Sequence, residues 1–91
     1  MIYGVFMKRY IRANSGKPEL SSVTTEWNEL DTGDGITFTV YSDSGDVIFE
    51  EFFDYQDVDP DAIYDSAAEL AILSLSQQYE LSNKVIEQLS V

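Results

Sequence analysis

The chain has 91 residues, a formal net charge of −12 and a 44% share of hydrophobic residues. This composition fits one small domain with a hydrophobic core and excludes a chain that is disordered by composition. The absence of histidine and cysteine excludes the commonest general base, the commonest metal ligand, a disulfide scaffold and a cysteine nucleophile. We therefore expect a single non-enzymatic domain spanning residues 1–91, with no cofactor and no bound metal.

The first part of the chain, residues 1–53, is predicted to form mainly strands and hairpins. Residues 2–13 are rich in β-branched and aromatic side chains and favour extended structure. From Ser22 to Leu30, hydrophobic and polar residues alternate with a period of two, which is typical of a half-buried strand. Residues 36–42 alternate in the same way. A turn at 43–46 and a strand at 47–53 follow, so we expect a hairpin.

Residues 59–91 are predicted to be helical. Asp59 can cap a helix, and Pro60 suits the first helical position. Ser82 is a second capping candidate, so the pattern is compatible with one long kinked helix or with two short ones. We predict an α+β fold, in which a three- to four-stranded antiparallel sheet packs against one long or two short C-terminal helices. The expected core comprises Val5, Ile11, Trp27, Ile36, Phe38, Val40, Phe49, Leu70, Ile72 and Leu73.

The charges are unevenly distributed along the chain. Residues 1–17 hold four of the five bases, whereas residues 18–91 hold all seventeen acids and only Lys84 as a base. Direct binding of nucleic acid needs clustered Lys and Arg and is not expected, and anionic membranes should repel the chain. No segment has the length and hydrophobicity of a membrane span, and the apolar start precedes its bases, the reverse of a signal peptide. We therefore expect a cytoplasmic location.

Two arrangements of acids resemble a calcium-binding loop and a glycosidase carboxylate pair, but both fit these functions poorly. The segment 57–65 imitates the ligand spacing of a calcium loop, yet Ala62 and Ala68 stand where that loop needs a glycine and a bidentate glutamate. Helix capping is therefore the favoured interpretation of this segment. Neighbouring acids such as Glu50 and Glu51 are the residue types of glycoside hydrolysis, but crowding of seventeen acids also produces such pairs.

The acids between residues 43 and 69 are the main functional candidate. This segment contains ten acids and no base, interleaved with Phe52, Phe53 and Tyr55. Its carboxylates can approach the charge density of a nucleic-acid backbone, and exposed aromatic side chains can anchor an interface. A basic protein with a nucleic-acid-binding groove is the predicted partner, and a merely solvated face is the alternative. The predicted partner-binding residues are Asp43, Asp46, Glu50, Glu51, Asp54, Tyr55, Asp57, Asp61, Asp65 and Glu69.

The chain resembles small acidic inhibitors carried by phages and mobile elements. These are the anti-CRISPR proteins and the DNA-mimicking anti-restriction proteins. The resemblance rests on its size, its charge, the acid run from Asp43 to Glu69, and the segment Met7–Arg12, which looks like the start of a small open reading frame. The resemblance is one of type, without a diagnostic motif. It implies an inhibitor in the host cytoplasm that blocks the guide-RNA or target-DNA channel of a Cas effector. The alternatives are a protein-interaction or assembly domain, including a homodimer formed through an exposed sheet edge, and a weak binder of divalent cations.

Overall fold

The computed structural model describes residues 16–90, and the fold in this range is α+β, as predicted. The predicted strand within residues 2–13 lies outside the described residues. A short 3-10 turn, Pro60–Ala62, leads into the first of two helices. The strands are β1 (Glu19–Leu20), β2 (Val23–Glu29), β3 (Gly35–Ser42), β4 (Val47–Asp54) and β5 (Glu80–Leu81), and the helices are α1 (Ile63–Ser76) and α2 (Asn83–Leu89).

The main sheet consists of β2, β3 and β4, joined as an antiparallel meander. One face packs against α1, and we call it the inner face; the opposite face is the outer face. Alternation along β2 places Val23 and Trp27 on the inner face and Glu26 on the outer face, which confirms the predicted period of two. The predicted hairpin is also confirmed, and Gly45 takes the positive φ of 91° that its turn requires.

A second, smaller pairing lies beside the meander. Strands β1 and β5 are parallel, with Glu19 opposite Glu80 and Leu20 opposite Leu81. The prediction that residues 59–91 are entirely helical is therefore wrong at β5. The two helices are separate elements, because residues 77–82 leave the helical path to form this pairing.

Both predicted capping residues make capping hydrogen bonds, Ser82 at the start of α2 and Asp59 at the 3-10 turn that leads into α1, whose own N-cap residue Ala62 makes none. The Asp59 side chain accepts from the backbone N–H of Asp61 at 3.0 Å, and Pro60 follows it. The Ser82 hydroxyl accepts from the N–H of Val85 at 3.2 Å. Each cap satisfies a backbone donor that the first helical turn leaves without an intrahelical partner.

The core lies between the inner face of the sheet and the two helices. From α1 it takes Ile63, Ala67, Ala71 and Leu75, and the expected core residue Ile72 packs against it only partly buried. Leu70 and Leu73 are 42% and 61% exposed, so their predicted burial is wrong. Alanine at two of the four inward positions allows α1 to approach the sheet closely, and Leu70 and Leu73 point away from the sheet. The expected core residues Val5 and Ile11 lie outside the described residues.

Neither helix within residues 16–90 is long and apolar enough to cross a membrane.

A candidate protein-binding surface at one end of the sheet

Seven carboxylates gather at the end of the sheet where β2 and β4 finish and β3 begins. The backbone N–H of Tyr55 donates to the carbonyl of Asp34 at 3.0 Å, which joins the segment after β4 to the β2–β3 loop. Gly35 also pairs with Asp54 across the sheet. We call this region the acidic end, and its carboxylates belong to Glu29, Asp31, Asp34, Asp54, Asp57, Asp59 and Asp61.

An aromatic groove opens at the acidic end, on the inner-face side. It has a volume of about 170 Å³ and is lined by Trp27, Ile36, Tyr55, Pro60, Ile63 and Tyr64. The Tyr64 and Trp27 rings form a T-shaped contact with a centroid distance of 4.8 Å. The Phe38 ring packs against Trp27 with a centroid distance of 4.5 Å. Tyr64 is 57% exposed, so solvent reaches this aromatic surface.

One carboxylate of the acidic end is held in place at the groove. The Tyr55 hydroxyl donates a 2.9 Å hydrogen bond to Oε2 of Glu29. This hydrogen bond is the main reason that the pKa of Tyr55 lies above its usual value, with desolvation and the charge of Glu29 adding to it. Since the bond ties the carboxylate to a groove-lining ring, Glu29 presents its charge beside Trp27 and Tyr64.

The structure does not bring all ten predicted residues together. Asp54, Tyr55, Asp57 and Asp61 lie at the acidic end. Asp43 and Asp46 lie in the β3–β4 turn, at the opposite end of the sheet. The eight residues of β4 separate these two ends by roughly 23 Å. The acid run from Asp43 to Glu69 is therefore not one continuous surface.

Strand alternation divides the central acids of the run as well. Glu50 lies opposite Thr39 on the outer face and accepts its hydroxyl at 3.3 Å, whereas Glu51 lies opposite Phe38 on the inner face. Neighbouring carboxylates on one strand therefore face opposite sides of the sheet. These two acids cannot act as a pair on a single ligand.

The two predicted acids of α1 lie along the helix rather than at either end of the sheet. Asp65 and Glu69 lie four residues apart, and they line a shallow hollow of about 400 Å³ with Ala68, Ile72 and Ser90. Asp61 precedes them by another four residues, so this acidic stripe starts at the acidic end and continues along the helix.

The outer face carries a second tyrosine–glutamate pair. The Tyr41 hydroxyl donates to Oε1 of Glu26 at 2.6 Å. The bond raises the pKa of Tyr41 and lowers the pKa of Glu26, with Asn28 contributing a smaller lowering of the glutamate. Its cross-strand surroundings are threonines and Glu50 rather than a groove of aromatic rings.

The bases of the described range lie far from the acidic end. Lys17 donates to the carbonyl of Ser76 at the last turn of α1. Lys84 lies in the first turn of α2, where Ser82 bonds to Ser21 beside the start of β2. Because β2 runs from there to the acidic end over about 20 Å, the carboxylates of that end have no neighbouring lysine within residues 16–90.

The metal-binding interpretation gains no geometric support. No group of three or more carboxylates in the described part of the chain converges as a metal site would require. Within the calcium-like segment, Asp59 instead accepts from a backbone N–H, as a capping residue does.

Sequence reasoning missed part of this surface. Glu29, Asp31 and Asp34 lie outside the acid run, and Trp27 and Tyr64 were treated as unrelated to it. The meander explains the omission, because in an antiparallel meander the β2–β3 loop and the C-terminal end of β4 lie at the same end of the sheet.

Comparison of the chain with protein-family models, with curated proteins and with solved structures gives no match.

Proposed function

We propose that the chain is a non-enzymatic inhibitor that binds a basic, nucleic-acid-handling protein through its acidic end and blocks access of nucleic acid to that protein. The observation that carries the proposal is the gathering of seven carboxylates beside a half-exposed aromatic groove. A Cas effector is the partner class that the resemblance to anti-CRISPR proteins implies.

The charge of the acidic end suits a groove built for phosphates. Its carboxylates come from two loops and two strand ends, so they form a compact negative surface. Lys17 and Lys84 lie about the length of β2 away and do not neutralise it. A partner that normally binds a polyanion offers clustered Lys and Arg, and such charges are attracted over roughly a Debye length.

Aromatic side chains give the same surface a means of binding beyond charge. Trp27, Tyr55 and Tyr64 lie among the carboxylates. Partly buried aromatic rings are the usual anchors of interfaces, whereas surface charges alone add little affinity. The β3–β4 turn with Asp43 and Asp46 contains no aromatic residue itself, and no aromatic groove of the kind at the acidic end is found beside it in the described structure, which favours the acidic end as the binding surface.

The alternative function is assembly through the edge of the sheet. Within residues 16–90, β4 has no strand partner on one side, and Val47 and Phe52 are 55% and 44% exposed. Glu50 and Glu51 oppose this alternative, because charges in the middle of an edge strand repel a second copy. An edge-paired dimer should persist in high salt, whereas binding through carboxylates should not.

The proposal is tested with the full chain as bait in a lysate of its native host, eluted with rising salt and competed with duplex DNA. The test variant is D31N/D34N/D57N, which removes three charges from the acidic end. The matched control is D43N/E69Q/E87Q, which removes three charges elsewhere. No side-chain hydrogen bond involves any of these six residues in the described structure.

We expect wild-type chain and control to capture a basic protein that salt or DNA releases, and the test variant to lose it. An equal loss of capture in both variants would mean that net charge, not the acidic end, determines binding, and undiminished capture by both would contradict binding through these carboxylates. Recovery of a salt-resistant, non-basic partner would contradict the proposed function.

A further inference from the structure

We propose that the aromatic groove is an arginine-recognition subsite, which takes one arginine side chain of a protein partner. This inference rests on the proposed function for the identity of the partner, and on the groove's own geometry for its chemistry. Its residues are Trp27, Ile36, Tyr55, Pro60, Ile63 and Tyr64.

The size of the groove limits its occupant. At about 170 Å³ it is smaller than the roughly 300–1,000 Å³ of pockets for drug-sized ligands. It has room for a single side chain. Ile36 and Ile63 supply aliphatic walls that suit a methylene stem, and the rings of Trp27 and Tyr64 also line the groove.

Charge complementarity selects a cation as the occupant. The Glu29 carboxylate is tied to Tyr55 through Oε2, and Asp59 and Asp61 flank Pro60 in the groove wall. No base of the described range lies at this end of the sheet. A cationic head beside the rings would therefore meet both a negative field and aromatic faces.

The geometry favours arginine over lysine. A guanidinium is planar, stacks on aromatic rings and offers paired N–H donors to a carboxylate, whereas an ammonium is compact and strongly hydrated. Glu29 lies two residues from Trp27 on the same face of β2, so one planar group can stack on the ring while it donates to the carboxylate.

Trp27 is the only tryptophan of the chain, so its fluorescence reports directly on the groove. The probes are oligoarginine and oligolysine of equal length, titrated into the full chain at one ionic strength. We expect oligoarginine to bind about three- to thirtyfold more tightly than oligolysine, with a change in Trp27 emission.

The variants are compared by this arginine-to-lysine preference, which a uniform loss of negative charge does not alter. E29Q and Y64L should reduce the preference towards unity. E26Q is the matched control, since Glu26 lies on the same strand, accepts from a tyrosine and faces away from the groove. It should retain the wild-type preference.

An equal affinity for both peptides would overturn the arginine subsite and leave the acidic end intact as a general electrostatic surface. A retained preference in E29Q and Y64L would overturn it as well. A Trp27 emission maximum whose wavelength shifts with protein concentration in the absence of peptide would assign the groove to a second copy and contradict a partner arginine. Conversely, arginine preference in a chain that captures no basic protein would preserve the subsite and refute the proposed function.

Discussion

Two tyrosine–glutamate hydrogen bonds have their glutamates on the same strand, β2, but differ in their surroundings, and the difference distinguishes a structural contact from a candidate binding site. On the outer face, Tyr41 and Glu26 form a 2.6 Å bond among threonines. At the acidic end, Tyr55 and Glu29 form a 2.9 Å bond at the wall of an aromatic groove. The chemical pair is the same in both regions. Only the second pair lies at the wall of a groove of aromatic rings.

The comparison indicates that acidity alone does not distinguish the acidic end from the rest of this chain. The seventeen carboxylates are distributed over both ends and both faces of the main sheet, the two helices and the β1–β5 pair. What distinguishes the acidic end is that two loops converge there beside Tyr64 of α1, which is largely exposed, and Trp27 of β2.

The largest expected effect comes from a residue beneath the groove. Ile63 is 3% exposed and joins the groove to the core. Ile63→Ala should lower the free energy of unfolding by about 2–5 kcal/mol, because it removes buried methyl groups and leaves a cavity. Phe52→Ala, at a 44% exposed ring on the outer face, should cost about 1 kcal/mol or less. Chemical denaturation measures both, and equal losses would contradict the placement of Ile63 in the core.

The sequence predicts an element of this fold well when the residue pattern of that element extends over many residues. Alternation along β2 and β3 predicts which residues face inward, because one face of each strand is buried. Capping at Ser82 predicts the start of α2, and capping at Asp59 predicts the 3-10 turn that leads into α1. Strand β5 has only two residues and carries no periodic signal. The expected core was wrong at Leu70 and Leu73, because large hydrophobic side chains favour burial, whereas the packing of α1 on the sheet places the smaller Ala67 and Ala71 inward.

The candidate site was predicted only in part, for a geometric reason. Contiguity along the chain suggested one surface from Asp43 to Glu69. An eight-residue strand separates its two ends, however, and period two sends Glu50 and Glu51 to opposite faces. The β2–β3 loop, with Asp31 and Asp34, joins the surface through the antiparallel meander rather than through sequence proximity.

A moderate effect is expected from charge removal at the acidic end. D31N/D34N/D57N should raise the thermal midpoint by about 2–5 °C at low ionic strength, since it relieves repulsion among crowded carboxylates. The dispersed control D43N/E69Q/E87Q should raise it less. Calorimetry at low and high salt measures the difference, and a difference that persists in high salt would contradict an electrostatic cause.

The smallest effects concern pH. The raised pKa values of Tyr41 and Tyr55 stabilise the fold below the usual tyrosine pKa, and this contribution is lost as pH rises through the folded-state values. The lowered pKa of Glu26 acts in the opposite direction. Its contribution is present above the usual glutamate pKa and is lost as pH falls through the folded-state value.

Single substitutions separate the two tyrosines. E26Q should lower the pKa of Tyr41 towards its usual value, and E29Q should do the same for Tyr55 alone. Absorbance of tyrosinate during alkaline titration, with Y41F and Y55F for assignment, checks both shifts. A simultaneous change of both tyrosines in either variant would show that the two pairs are not independent.

The most direct test of the acidic end as the binding surface is a two-dimensional NMR titration of the full chain with oligoarginine. Shifts should concentrate at the Trp27 indole N–H and at the backbone of Glu29, Tyr55 and Tyr64. Tyr41 and Glu26 on the outer face should remain unchanged. Shifts spread evenly over both faces, or centred on the outer face, would contradict the claim that this end of the sheet is the recognition surface.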